Sequence, residues 1–170
     1  MRHPLDTDAI HQDIFVLLHL VYGADEFSDM HGTRSAEVAN LIEGDQYWSR
    51  LQRQVSELLV GIAVRSRIIF DDKDERHIAA TPDDYRVGHF VLRDGIPDES
   101  QAFSVREACN KVLHAASIEF ERNGFDEKQH WNGIVQLKGV HRREPWEVAL
   151  FVNSCATRIS AILAQLDKGT

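Results

Sequence analysis

A chain of 170 residues, 43% hydrophobic and 27% charged, has the makeup of one soluble globular domain large enough for a proper core. Its formal charge of -8 excludes a general nucleic-acid coat, which needs a basic surface, and leaves room for a local basic site only. The longest early apolar run, Ile14 to Val21, is short and broken by His19, so no membrane span is expected. No basic stretch followed by an apolar segment and a cleavage site is evident, and a cytoplasmic location follows by default. Cys109 and Cys155 both sit in apolar-periodic segments and read as buried free thiols in a reducing compartment.

The chain carries no internal repeat and no low-complexity tract, and reads as a single domain over residues 1–170. A first helix is predicted from about Thr7 to Tyr22, with Ile10, Ile14, Leu17, Leu18 and Val21 on its apolar face and Gly23 as its stop. The polar stretch Gly23 to Arg34 reads as a loop, and Ser35 to Glu43 as a short helix. A long helix follows from about Asp45 to Asp71, with Trp48, Leu51, Val55, Leu58, Leu59, Ile62, Ala63 and Ile69 at helical spacing. Residues 72–101 form an irregular excursion, broken by Pro82, Gly88, Gly95 and Pro97, in which Phe90 to Arg93 suits a short strand.

A third helix is predicted from about Ser104 to Arg122, stopping at Asn123-Gly124. Gly133 to His141 suits a strand, and His141 to Pro145 a turn. A final helix is predicted from Pro145 to about Leu166, with Trp146, Ala149, Leu150, Asn153, Ala156, Ile159, Leu163 and Leu166 on one face. Four amphipathic helices with one small β element predict a mainly α fold, a four-helix-bundle-like domain.

The third helix carries the most chemistry. Arg106, Asn110 and His114 fall at i, i+4 and i+8 and make one polar stripe opposite Val105, Cys109, Val112 and Leu113. A cation, an amide and an imidazole in a row are groups that a phosphodiester-cleaving site uses. The same three residues also suit a structural polar seam, with Arg106 pairing an acid near Asp71-Asp72, or a ligand site without catalysis.

The helical order together with Arg106, Asn110 and His114 resembles the HEPN superfamily, compact helical domains that often dimerise. Many of its members are metal-independent RNases with an Arg-x4-6-His motif on a late helix. The resemblance implies His114 as general acid or base, Arg106 as the stabiliser of phosphorane charge, and Asn110 as the polar companion that orients His114 or the phosphate. Here seven residues separate Arg106 from His114, a departure from the family spacing that sets them about 80° and 12 Å apart on a helix. The resemblance implies a metal-independent endoribonuclease of the toxin or phage-defence kind, a homodimer with facing motif helices, RNA as substrate, and a cognate antitoxin or regulatory protein as partner. It leaves open a non-catalytic dimerisation or nucleotide- or RNA-binding module, and a purely structural interaction protein.

Lys138, His141, Arg142 and Arg143 form the densest basic patch, either an RNA backbone contact or a solvated turn. Arg65 and Arg67, near the end of the long helix, suit either the helix dipole or a second phosphate contact. No His-Glu-x-x-His and no Cys-x2-Cys occurs, so neither metal nor cofactor is expected. His11 and His19, two turns apart, read as a surface or half-buried pair, or with a third ligand as a bundle metal site. Cys109 and His114, about 140° apart around a helix, make a poor nucleophile–base pair.

Overall fold

A computed structural model describes residues 7–33, 44–72, 86–92, 95–98, 103–123 and 130–168. Among the described residues the helices are α1 (Thr7–Thr33), α2 (Gly44–Asp72), α3 (Val105–His114) and α4 (Val152–Lys168). The strands are β1 (Gly88–Val91), β2 (Pro97–Asp98), β3 (Ser117–Asn123), β4 (His130–His141) and β5 (Glu144–Phe151). They form one antiparallel sheet in the order β2-β1-β5-β4-β3. The fold is therefore α+β, which overturns the expected mainly helical bundle.

Two segments make most of that correction. The predicted helix 104–122 ends at His114, where Ala115 turns to extended backbone (φ -67, ψ 132), and the chain continues as β3. There Ile118 and Phe120 alternate with Glu119 and Glu121, which is strand periodicity. The predicted helix 145–166 is instead β5 followed directly by α4. Val148 and Leu150 reach the core from β5 because β1 and β4 flank that strand on both sides. Pro145 does not open a helix; it lies opposite Val140 in β5, outside the part paired with β1, where a residue without an N–H is tolerated.

The other elements follow the pattern more closely. α2 matches its predicted span, and β4 begins three residues before it. α1 runs past Gly23 to Thr33, where a loop is predicted from the glycine onward. A mid-helix glycine costs about 1 kcal/mol, and burial of Val21 and Ala24 on either side offsets it. The predicted short helix at Ser35 to Glu43 lies outside the described residues, as does 73–85 of the excursion. The rest of the excursion supplies β1, close to the strand expected at Phe90 to Arg93, and β2.

Helices and sheet meet in a single core. α1 buries Ile10, Ile14, Leu17 and Val21, α2 buries Leu51, Val55, Leu59, Ile62 and Phe70, and α4 buries Cys155, Ala156, Ile159 and Leu163. Alternate residues of β4, Trp131, Val135 and Leu137, join them from the sheet. Gly133, at φ +81, sits where the β3–β4 register shifts, and a Cβ there would meet Val21 Cγ1 at 2.8 Å. The left-handed conformation and the close approach of α1 both demand glycine. Gln52 of α2 donates its Nε2 to the carbonyl of Ile118 in edge strand β3 at 2.6 Å.

The β4–β5 hairpin outruns its neighbours. β3 pairs with β4 only as far as Lys138, and β1 pairs with β5 only from Val148, so 139–147 is a two-stranded ribbon. Its tip is a two-residue turn closed by His141 and Glu144, with Arg142 at φ 50 and Arg143 at φ 74. Both values mark a type I′ turn, the hairpin turn that favours Asn-Gly. A left-handed residue with a Cβ costs roughly 1–2 kcal/mol.

Candidate functional site at the base of the ribbon

α3 is built to present one polar face. The Ser104 hydroxyl caps it by accepting from the Glu107 N–H at 3.1 Å. Val105, Ala108, Cys109 and Val112 bury one side, each fully buried valine contributing about 2 kcal/mol. The face left over carries Glu107, Asn110, Lys111 and His114. With Val140, His141 and Trp146 of the ribbon, these four line a cleft of ≈ 570 Å³.

Lys111 is the most constrained group in it. Its ammonium lies 4.4 Å from the centroid of Trp146 and 5.2 Å from that of Phe90, and 3.6 Å from Glu107 Oε1. The aromatic faces and the carboxylate hold the charge in one place, and the side chain is only 16% exposed. Trp146 is seated in turn against Gly139, its cross-strand partner. His114 is exposed in the last turn of α3. His141, exposed at the end of β4, faces the same cleft.

The predicted stripe is thus divided. Asn110 and His114 are in the cleft. Arg106 is not among its lining residues and reaches α2, where its Nη2 lies 2.6 Å from Asp71 Oδ1. That is the seam anticipated as the structural alternative. The cleft face runs through 107, 110, 111 and 114, one residue round the helix from the 106-110-114 stripe. Glu107, Lys111 and His114 at i, i+4 and i+7, with His141 at a strand end, were the signal for it in the sequence.

The remaining basic candidates separate as well. Lys138 is held by Glu119 at 2.8 Å and Glu147 at 3.8 Å, outside the cleft. Its hydrogen bond to Glu119, then the charge of Glu147, raise its pKa. Arg65 pairs with Asp13 of α1, and Arg67 with Asp71 at 3.2 Å. Both are helix-to-helix or within-helix ion pairs rather than cleft residues. Arg142 and Arg143 are exposed at the ribbon tip beside His141.

His11 bonds the Ser160 hydroxyl of α4 at 3.2 Å, and His19 bonds the Phe15 carbonyl at 2.8 Å. Among the described residues no group of three or more His, Cys, Asp or Glu is placed to hold a metal. Cys109 and Cys155 are free and buried. Burial pushes the Cys109 thiol up to about 12, against a smaller opposing pull from Arg67. Burial, then the neighbouring Cys109, raises Cys155 well above its ordinary value. Neither is a nucleophile at neutral pH.

No protein-family model, curated protein or solved structure matches this chain. No described helix is long and apolar enough to cross a membrane. The functional reading therefore rests on the cleft.

Proposed function

We propose that the cleft binds an RNA phosphodiester and cleaves it without a metal, by proton exchange with His114 and His141. The observation that carries this reading is that two imidazoles from distant parts of the chain line one cleft with Lys111 and Asn110. Imidazole is the side chain whose charge changes near neutral pH, so a pair can act as base and acid together. One imidazole takes the proton of the ribose 2′-OH as that oxygen bonds to phosphorus. The other, protonated, gives its proton to the 5′-oxygen as the P–O5′ bond breaks, leaving a 2′,3′-cyclic phosphate and a 5′-hydroxyl. The Lys111 ammonium and the Asn110 amide are suited to the non-bridging oxygens, where charge grows. In this reading Arg106 fastens α3 to α2 rather than touching phosphate.

The test is cleavage of labelled RNA in EDTA by wild type, His114→Ala and His141→Ala. Loss of at least a hundredfold in each variant, with the melting temperature within a few degrees of wild type, is the expected result. Undiminished cleavage in either variant removes that histidine from the chemistry. Binding without cleavage by the wild type assigns the cleft to RNA or nucleotide binding alone.

A homodimer belongs to the same reading. Val60, Val64 and Ile68, at i, i+4 and i+8 on α2, are all exposed and suit a second copy of this chain. Light scattering that gives a monomer at high micromolar concentration sinks that part.

A further inference from the structure

We infer that the β4–β5 ribbon is a clamp for single-stranded RNA, gripping the backbone beside the bond seated in the cleft. The inference rests on the reading of the cleft as an RNA site and adds the form of RNA it takes. The ribbon stands clear of β1 and β3 over 139–147. It supplies Trp146 from its base and His141 from its tip to the cleft, so a chain seated in the cleft lies against the ribbon. Arg142 directly follows the cleft residue His141, so the tip begins one residue, about 3 Å of strand, past the cleft wall.

The tip is cationic in a chain of net charge -8, and neither Arg142 nor Arg143 has an ion-pair partner among the described residues. Guanidinium groups bind phosphate through two parallel hydrogen bonds and stack on bases. Both arginines occupy left-handed backbone, at φ 50 and 74, in a turn where Asn-Gly would sit at ease. Two arginines in a strained turn point to a role for their side chains. The opposite limb carries Glu144 and Glu147. The cations are confined to the two turn residues, with acids on the returning limb, a narrow positive point that suits one backbone rather than the two of a duplex. Val140, 65% exposed, offers an apolar surface to unstacked bases beside the charge.

The experiment measures fluorescence anisotropy of a labelled single-stranded RNA of about 12 nucleotides on protein carrying His114→Ala, with and without Arg142→Asn/Arg143→Gly. The ribbon variant is expected to bind at least tenfold more weakly and to lose about 1.4 from the slope of log affinity against log salt, 0.7 for each phosphate released. Its melting temperature is expected to rise by about 4 °C as the strain is relieved. A blunt duplex of the same length is expected to bind the unaltered ribbon at least tenfold more weakly than the single strand. Unchanged affinity and slope, or a duplex bound as tightly, overturns the clamp. A melting temperature that does not rise overturns the claim that the turn is held in a costly conformation for binding. Cleavage at the cleft that ignores the ribbon variant sinks the clamp alone. Ribbon-dependent binding by a wild type that does not cleave sinks the cleft chemistry alone.

Discussion

The indole of Trp146 occupies the space that a side chain on Gly139 would need. A Cβ at 139 would lie 2.6 Å from Trp146 Cε2 and 2.8 Å from the His114 carbonyl oxygen. The missing side chain of one residue thus seats the aromatic floor on which Lys111 rests, and brings the end of α3 down onto β4.

Gly139→Ala is therefore expected to be destabilising although it only adds a methyl. Both neighbours are crowded, one of them backbone, so the cost is about 1–3 kcal/mol, or several degrees of melting temperature for a chain of this size. The same change displaces Trp146 and loosens Lys111. Calorimetry together with RNA affinity measures the two effects. A variant as stable as wild type would show that the ribbon backbone yields easily.

Lys111→Met keeps the long apolar stem against Phe90 and Trp146 and removes the charge. Removing the ammonium is expected to lower RNA cleavage about tenfold or more, while Lys111→Arg restores part of it. The melting temperature should stay within a few degrees, because the rings keep a packing partner. Equal activity in Lys111→Met and wild type would confine this lysine to a structural role.

Arg106 and Asp71 form an ion pair on a partly exposed surface, 32% and 51% exposed. A double-mutant cycle with Arg106→Ala and Asp71→Ala should give a coupling of about 0.5–1 kcal/mol. RNA cleavage should survive Arg106→Ala. Abolished cleavage with unchanged folding would return Arg106 to the chemistry and move the reactive centre towards α2.

The buried thiol of Cys109 sets an alkaline limit to stability. Its folded pKa of about 12 lies above the ordinary value of 9.0, so between those values the folded chain binds more protons than the unfolded one. Stability from this group is full below pH 9 and falls as pH climbs towards 12. Denaturant titrations at pH 8 and pH 10.5 should show the decline, and Cys109→Ala should reduce it, leaving the share of the also buried Cys155. An undiminished slope in that variant would place the alkaline sensitivity elsewhere.

The sequence carried more of the helices than of the sheet, for a physical reason. α2 has enough apolar residues at 3.6-residue spacing for the period to speak for itself. β5 does not: Trp146, Ala149 and Leu150 fit a helical face, while Val148 and Leu150 fit an alternating one. What settles it is pairing on both sides, with β4 across the two-residue turn and with β1 from far earlier in the chain. β3 was lost because the helical pattern of α3 carries past Ala115 without a glycine or proline to interrupt it. Asn110 and His114 were legible as a site because one helix holds both. Their partners His141 and Trp146 come from the hairpin, and only the sheet brings the two together.

The Gln52 amide on the Ile118 carbonyl has a consequence for the molecule in a crowd. β3 is the long edge of the sheet, and a bare edge of that length is a template for a strand from any other chain. By occupying an acceptor near the start of that edge, a side chain from the neighbouring helix interrupts the ladder an incoming strand would need. Among the described residues the sheet has five strands, and a strand adding to this edge would first have to displace Gln52.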